Sequence, residues 1–238
     1  MQTAAVLGRN VVRPMLERAF RFMMSKKTQP IRFFFTTGLP LLLSFVALSF
    51  VGKPAPLFNG RTFAGWEGDT GTVWRIENGT LTGGSLTETV PHNYFLSTKK
   101  AYGNFVLTLN MKLQGTGFVN AGVQFRSQRA TKPDYEMIGY QADMGEKFWG
   151  CLYDESRRDT VLAAPPLAVQ QRLLKPNHWN RYEIRCEGPR IRLYLNGTLT
   201  VDYTEPDPAI PMSGLVALQI HGGGKAQVQF KNILIKEL

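Results

Sequence analysis

From Leu57 onward, apolar and polar residues alternate along many short runs that are separated by turn residues. A period of two is that of a β-strand with one buried face, and a helical period is visible only around Ala168–Leu174. Asn-Gly pairs at Asn78 and Asn196 stand between alternating runs and predict tight hairpins. The pattern predicts an all-β fold, a two-sheet antiparallel β-sandwich of the jelly-roll type.

The residues before this pattern differ in kind. Residues 33–52 carry no charge and include an apolar run at 39–51, with Lys26, Lys27 and Arg32 in front of it. A positive segment followed by an apolar one is typical of a secretory signal. About 20 uncharged residues also suffice to span a bilayer, so an uncleaved anchor through residues 33–52 is the alternative.

Two details bear on this choice. Pro40 and the polar Thr36, Thr37 and Ser44 shorten the strongly apolar part and favour the signal, and a start at Met23 or Met24 would give it an ordinary length. We therefore predict a leader at residues 1–52 and an exported domain at residues 53–238. The expected location is periplasmic or extracellular, with anchoring to the inner membrane as the alternative.

Charge and cysteine content narrow the class of protein. Of the formal net charge of +10, residues 1–52 carry +6 and residues 53–238 only +4, so no nucleic-acid partner is expected for the domain. Export would permit a disulfide between Cys151 and Cys186. The alternation places Cys186 on the core side of its strand and Cys151 on the opposite side, which predicts two free thiols.

Four runs carry an unusual set of residues between their apolar positions. These residues are Gln124 and Arg126, Gln141 and Asp143, Trp149, Tyr153 and Glu155, and Gln219 and His221. An ordinary solvated sheet face carries residues such as Thr108, Asn110 and Lys112. Amides and charged groups hydrogen-bond sugars, and aromatic rings stack on them, so the set predicts a carbohydrate site on one face outside the core.

The motifs of serine hydrolases, zinc proteases and nucleotide-binding folds are missing. His92 and His178 fall in predicted turns and are expected to be incidental, which leaves His221 as the histidine placed for proton transfer. Asp143, Glu155, His221 and the glutamines would also suit a hard cation. No spacing is diagnostic, so no cofactor is certain and a divalent metal stays open.

The domain also carries a characteristic order of short motifs. They are LFNGRTFAGW at 57–66, WRIENGTLTGG at 74–84, NAGVQFRS at 120–127, GYQADMG and WGCLYDESRR from 139, RYEIRCEGPRIRLYLNG from 181, and the terminal GLVALQIHGGG and VQFKNILIKEL. In this order they resemble the 3-keto-disaccharide hydrolase domain family over nearly all of residues 55–238. The resemblance implies a concanavalin-like jelly roll with a concave face, and activity on glycosides oxidised at C3.

The implied chemistry assigns roles to the polar set. A C3 ketone acidifies the C2 hydrogen, so a base can remove it, the C1 substituent leaves, and water adds to the enone. His221 or Asp143 would be the base, Arg126 would stabilise the enolate, and Glu155 would protonate the departing oxygen. The remaining candidates would bind substrate: Gln124, Gln141 and Gln219 by hydrogen bonds, Trp149 and Tyr153 by stacking, and Arg158, beside Arg157, at the edge of the cleft.

Three alternatives stay open at this point. A conventional glycosidase would use Asp143 and Glu155 as paired carboxylates. A lectin-like binding module would need aromatic and amide groups but no converging charged set, because fold alone does not decide function. A structural envelope protein would show no polar cluster on a concave face.

We expect a chain that lacks residues 1–52 to fold, because the predicted core begins after them. The measurement is urea unfolding of that chain followed by circular dichroism. A cooperative transition is the expected result, and insoluble or non-cooperative protein would contradict the predicted boundary near Lys53.

Overall fold

The computed structural model describes residues 52–238, and the predicted leader lies outside them apart from its last residue. Two antiparallel sheets pack face to face, as the alternation predicts. One sheet has eight strands and the other has seven. The described part of the chain is therefore a two-sheet β-sandwich.

The strands and the short helix have the following bounds. In the first half of the domain they are β1 Ala55–Pro56, β2 Trp66–Glu67, β3 Trp74–Glu77, β4 Thr80–Gly84, β5 Tyr94–Tyr102, β6 Phe105–Gly117, β7 Asn120–Arg129 and β8 Met137–Gly145. In the second half they are β9 Leu152–Glu155, β10 Thr160–Ala163, α1 Leu167–Leu173, β11 Asn180–Glu187, β12 Arg190–Leu195, β13 Thr198–Thr204, β14 Gly214–Ile220 and β15 Gly224–Glu237. The eight-stranded sheet has the order β13-β12-β11-β6-β15-β4-β3 with β1 beside β15, and the seven-stranded sheet has the order β10-β9-β8-β7-β14-β5-β2.

Both predicted hairpins and the predicted helical stretch are present. Asn78-Gly79 connects β3 to β4 and Asn196-Gly197 connects β12 to β13. All four residues have positive φ, which is the backbone of the tight turn that Asn-Gly favours. The helix α1 occupies the one segment with a helical period, and among residues 52–238 no helix is long and apolar enough to cross a membrane.

The core lies between the two sheets and is rich in aromatic residues. Trp74, Phe105 and Phe230 of the eight-stranded sheet and Phe125 and Tyr140 of the seven-stranded sheet are almost completely buried there. Cys186 belongs to the same core, Cys151 is buried at the start of β9, and neither forms a disulfide within residues 52–238. The prediction of two free thiols is confirmed.

A β-bulge in β7 changes the course of the seven-stranded sheet. The pairing of β7 with β8 slips between Phe125 and Gln128, and Arg126 has φ of 49°. An extra residue reverses the alternation of side chains beyond it. Arg126 therefore points toward the end of the sandwich, where it donates hydrogen bonds to the carbonyls of Gly103 and Gly188, at 3.0 and 2.8 Å.

The prediction that Arg126 shares a face with Gln124 is therefore wrong. Its third hydrogen bond goes to Asn104 Oδ1 at 3.2 Å. Gly103 and Asn104 lie in the β5–β6 connection between the two sheets, and Gly188 lies in the β11–β12 turn of the eight-stranded sheet. The guanidinium thus ties β7 to the β5–β6 connection and to the β11–β12 turn. Each of its three nitrogen atoms donates to a protein acceptor, so it is committed to this structural role.

Beyond the bulge, the end of the β7–β8 hairpin folds back over the outer face of its own sheet. Arg129 Nη2 donates to Ser97 Oγ of β5 at 2.8 Å, and the Tyr135 ring stacks on His92 at 4.0 Å between centroids. Met137 packs against Phe95 of β5 and Ala217 of β14, in a cluster separate from the main core. Because β14 lies between β7 and β5, residues 129–137 must cross it, and we call them the hairpin cover.

An ion-pair network closes one end of the core. Asp154 is fully buried and accepts hydrogen bonds from Arg157 and Arg158. Arg158 also pairs with Glu205 at 2.7 Å, and Glu205 accepts the hydroxyl of Tyr140. The prediction that Arg158 edges the cleft is wrong, because its guanidinium is held within this network.

We expect Asp154→Asn to destabilise the domain by about 3 kcal/mol, since it leaves two guanidinium groups facing a neutral partner at a buried site. Urea unfolding measures the loss. The matched control is Asp202→Asn, which breaks the exposed pair with Arg190 and should cost much less. Equal losses for the two variants would contradict the structural role of the network.

Candidate functional site

Glu155 is the centre of a polar cluster on the outer face of the seven-stranded sheet. Its Oε2 accepts long hydrogen bonds from Gln141 Nε2 at 3.4 Å and from Gln219 Nε2 at 3.5 Å. Gln141 extends over Gly122, where a Cβ atom would come within 2.3 Å of the amide carbon. Because Gly122 has no side chain, the Gln141 side chain can cross β7 at this point and reach Glu155.

Three glutamines lie on this face, which we call the glutamine face: Gln124, Gln141 and Gln219. Gln124 stands opposite Gln141 in the β7–β8 pairing and opposite Ala217 in the β7–β14 pairing. All three are at most 1% exposed. Within residues 52–238, both amide atoms of Gln124 and the Oε1 atoms of Gln141 and Gln219 have no hydrogen-bond partner.

Unpartnered buried amides are costly, typically about 1–3 kcal/mol each. Native proteins usually pair such groups with protein or water. Four unpartnered atoms on one face, three of them acceptors, therefore point to a place where a ligand or water supplies hydrogen bonds.

Asp143 lies beside the glutamine face and is 4% exposed. Its Oδ1 accepts hydrogen bonds from Asn120 Nδ2 at 3.0 Å and from the Met144 amide at 2.8 Å. The main-chain carbonyl of Asp143 accepts the Tyr182 hydroxyl at 2.6 Å, and the same hydroxyl accepts the Gly150 amide at 2.6 Å. Since Tyr182 belongs to the other sheet, its hydroxyl sets the position of this part of β8.

Burial raises the pKa of both carboxyl groups. Desolvation raises the pKa of Asp143 to about 7, although hydrogen bonds from Asn120, Met144 and Gln141 oppose the shift. Desolvation, and then the charges of Glu136 and Asp143, raise the pKa of Glu155 to about 8. Glu155 is therefore mostly protonated at neutral pH and can donate a proton.

Two histidines lie at the end of this face, and in each of them Nδ1 faces the main-chain carbonyl of the next residue. His221 Nδ1 lies 2.7 Å from the Gly222 carbonyl, and His92 Nδ1 lies 2.8 Å from the Asn93 carbonyl. A carbonyl only accepts, so each Nδ1 carries the hydrogen and the neutral ring keeps its lone pair on Nε2. Each Nε2 is a candidate proton acceptor.

Glu136 of the hairpin cover completes the cluster. Its Oε2 accepts Asn93 Nδ2 at 3.1 Å, and Asn93 Oδ1 accepts the Gly222 amide at 3.2 Å. Burial raises the pKa of Glu136, while the positive charges of His221 and His92 would lower it. The charge of Glu136 in turn raises the pKa of Glu155, so the two glutamates influence the same region.

The structure brings together most, but not all, of the residues predicted for the site. Gln124, Gln141, Gln219, Asp143 and Glu155 share the face, with Tyr153 opposite Gln141 at its border and His221 at its end. The prediction that Trp149 lies on the same strand face as Tyr153 and Glu155 is wrong. β9 begins at Leu152, so Trp149 lies in the preceding turn and is 8% exposed against the core.

Sequence reasoning missed Glu136, Asn93 and His92. All three lie on loops or at strand ends, where alternation assigns no face. The His92 ring stacks on the Tyr94 ring and on the Tyr135 ring, at 4.2 Å and 4.0 Å between centroids. The presence of these rings in the sequence is only a partial signal that the three loops meet. Among residues 52–238, no group of three or more His, Cys, Asp or Glu side chains is arranged to hold a metal ion.

Residues 53–236 match the family described as the 3-keto-alpha-glucoside-1,2-lyase-like domain. The chain belongs to this family. Curated proteins give no match. The family and the polar face place the domain among carbohydrate-active proteins, with either a glycosidase-like or a binding function.

Several solved structures share the sandwich. A candidate glycosyl hydrolase from Parabacteroides distasonis is 22% identical with a TM-score of 0.55, over 79% of this chain and 94% of that one. The carbohydrate-binding module CBM66 from Bacillus subtilis is 20% identical with a TM-score of 0.52, over 71% and 93%. A Bacillus licheniformis β-glucanase is 11% identical with a TM-score of 0.50, over 80% and 99%. At these identities the likeness establishes a concanavalin-like fold.

The domain should lose stability as the pH rises from about 4 to about 8, because folded Asp143 and Glu155 hold protons that the unfolded chain has released. Asp143→Asn and Glu155→Gln should each make the stability less dependent on pH over this range. The difference between the urea unfolding midpoints at pH 5 and pH 8.5 measures this dependence. The control is Glu183→Gln on the other sheet, and a wild-type slope that survives both site substitutions would contradict the raised pKa values.

Proposed function

We propose that the domain cleaves 3-keto-glucosides by removing the C2 proton, expelling the C1 substituent and hydrating the enone. The observation that carries the proposal is the pairing of a proton donor with proton acceptors around one amide-lined face. Glu155, whose pKa is raised to about 8, supplies the donor. His221, with Nε2 free and Nδ1 bound to Gly222, supplies the acceptor. Membership of the 3-keto-alpha-glucoside-1,2-lyase-like family also supports the proposal.

The proposed reaction consumes water and needs no other reagent. His221 Nε2 takes the C2 hydrogen as a proton, and the electron pair moves onto the C3 oxygen to form an enolate. The enolate collapses to a C1–C2 double bond as the C1–O bond breaks, and Glu155 protonates the departing oxygen. Water then adds at C1 and a proton returns to C2, which gives a free 3-keto sugar.

The glutamine face replaces Arg126 as the proposed source of enolate stabilisation. Amide N–H groups can donate to a developing oxyanion in a site from which water is excluded. Gln124 Nε2 is buried on this face and has no partner among residues 52–238. Gln141 and Gln219 already donate to Glu155, and so orient the acid.

In this proposal Asp143 acts on Glu155 through its charge and does not contact the sugar. It is nearly inaccessible, and its charge adds to that of Glu136 in raising the pKa of Glu155. Asp143 therefore keeps Glu155 protonated rather than contacting the sugar. This also disfavours the paired-carboxylate glycosidase, in which both carboxyl groups must reach the anomeric carbon.

A binding module is the second candidate. CBM66 shares the sandwich, and the buried amides of the glutamine face are groups that bind sugars without reacting. A pure binder has no need for a glutamate of raised pKa beside histidines with free Nε2 atoms. Turnover therefore decides between the two.

We also propose that the domain works outside the cytoplasm, in the periplasm or the medium. The support is the basic segment followed by the uncharged stretch 33–52. Fractionation of cells that express the full chain, with mass spectrometry of its N-terminus, tests both export and cleavage. A cytoplasmic, uncleaved protein would overturn this proposal.

We expect Glu155→Gln and His221→Ala each to lower kcat on methyl 3-keto-α-glucoside by about 100-fold, the usual effect of losing a general acid or base. Product analysis by NMR measures turnover, and a substrate deuterated at C2 should react more slowly if proton removal limits the rate. The matched controls are Glu183→Gln and His178→Ala, which lie away from the glutamine face.

Three results would contradict the proposal. Full activity of both site variants would remove these residues from the reaction. Equal cleavage of methyl α-glucoside would favour a conventional glycosidase. Saturable binding of either sugar without turnover would identify a binding module.

A further inference from the structure

The outer face of the eight-stranded sheet carries a second unusual group of residues, on the opposite side of the sandwich from the glutamine face. In β6, Met111 and Leu113 point into the core, so Lys112 between them points outward. Gln229 stands directly opposite Lys112 in the β6–β15 pairing, and Lys231 follows two residues later on the same face of β15. The outer side of these two central strands is therefore basic and polar.

Two ammonium groups approach a single indole ring on this face. Lys231 Nζ lies 4.0 Å from the centroid of the Trp179 ring, and Lys112 Nζ lies 5.6 Å from it. All three side chains are half-buried. The face of an aromatic ring attracts a cation, but two cations held near one ring also repel each other. We call this group the lysine patch: Lys112, Trp179 and Lys231.

The lysines of the patch differ from the arginines of the same sheet in having no acidic partner. Each arginine in the strands of this sheet pairs with a carboxylate: Arg75 with Glu77, Arg181 with Glu183, Arg185 and Arg192 with Glu187, and Arg190 with Asp202. Among residues 52–238, neither lysine of the patch forms an ion pair. The patch therefore offers two positive charges that an anionic ligand can neutralise.

The residues around the patch indicate what else such a ligand carries. They are amides on the outer sides of β6 and β15: Asn110, Gln114, Gln229 and Asn232. Asn110 stands opposite Lys231 and accepts a hydrogen bond from Asn232 Nδ2 at 3.1 Å. Amides donate to and accept from hydroxyl groups, and ammonium groups form strong hydrogen bonds with carboxylates. Hydroxyl and carboxylate groups occur together in acidic sugars.

Two other anionic partners fit this surface less well. A surface that binds a membrane inserts protruding apolar side chains, whereas Trp179 is half-buried with a lysine over its ring. A nucleic acid is typically held through about 6–10 phosphate contacts, and the patch supplies two ammonium groups. A sugar polymer can instead lie along the flat outer face of the strands and use both the amides and the lysines.

We propose that the lysine patch is a second, non-catalytic site that binds an acidic polysaccharide whose sugars carry carboxylates. It lies on the opposite sheet from the glutamine face, so a polymer bound there leaves that face open. The patch would keep the domain on the polymer while a small glycoside enters the other side. This inference does not depend on the proposed function.

The test removes both positive charges of the patch. Lys112→Gln/Lys231→Gln should weaken binding to polygalacturonate, measured by affinity electrophoresis, by about tenfold, because two partly exposed ion pairs are lost. Binding by the wild type should also weaken as NaCl rises from about 0.05 M to about 0.5 M, because salt screens exposed charges. The substitutions should not change the mobility of the protein in neutral pullulan.

The matched control is Lys53→Gln/Lys99→Gln. These lysines are exposed and do not contact Trp179, and their loss changes the net charge by the same amount. This variant should keep the wild-type affinity for polygalacturonate, and both double variants should turn over methyl 3-keto-α-glucoside at the wild-type rate. Equal loss of binding in the two double variants would show an effect of overall charge and would overturn the inference.

A direct readout separates this inference from the proposed reaction. The indole N–H signal of Trp179, assigned with Trp179→Phe, should shift in NMR titrations with oligogalacturonate and stay in place with methyl 3-keto-α-glucoside. The shift supports the patch even if no 3-keto glycoside is turned over. An unchanged signal would overturn the inference whatever the activity. Binding to phosphatidylglycerol vesicles without binding to polygalacturonate would also overturn it and would identify a membrane surface instead.

Discussion

The bulge at Arg126 is the constraint on which the architecture of the site depends. Alternation in a strand would place Arg126 beside Gln124 on the outer face. The extra residue turns it instead toward the carbonyl of Gly103, in the connection between the sheets, and that of Gly188, in a turn of the opposite sheet. Beyond this point the hairpin cover bends back across β14, and it delivers Glu136 to Asn93 and Tyr135 to His92. One inserted residue thus both fastens the sheets and encloses the face.

The two sheets are also joined by hydrogen bonds near Asp143. The Tyr182 hydroxyl, which comes from the eight-stranded sheet, bridges the Asp143 carbonyl and the Gly150 amide of the seven-stranded sheet. The turn at Gly150 continues from Trp149, which packs in the core cluster. The Tyr182 hydroxyl therefore fixes the Asp143 region of β8 and the β8–β9 turn to the same point of the core.

The sequence predicted the parts of this structure that follow regular alternation. The sandwich, the Asn-Gly hairpins, the free thiols and the shared face of Gln124, Gln141 and Gln219 need only a period of two. Prediction failed where the period is interrupted: at the bulge for Arg126, in the turn for Trp149, and after β9 for Arg158. Glu136 and His92 lie on loops, and the contacts of Glu136 with Asn93 and of Tyr135 with His92 depend on folding of the cover, which no local pattern encodes.

The unpartnered amides of the glutamine face bear on how this domain is maintained over evolutionary time. Methionine or leucine would fill similar volumes without leaving buried polar atoms unpaired, so selection for a stable fold alone would remove Gln124 and Gln219. Their presence in a sandwich that is otherwise densely apolar between its sheets identifies a requirement other than folding. Gln124 in particular has no hydrogen-bond partner among residues 52–238, and under the proposed function its position is kept for the ligand that this face binds.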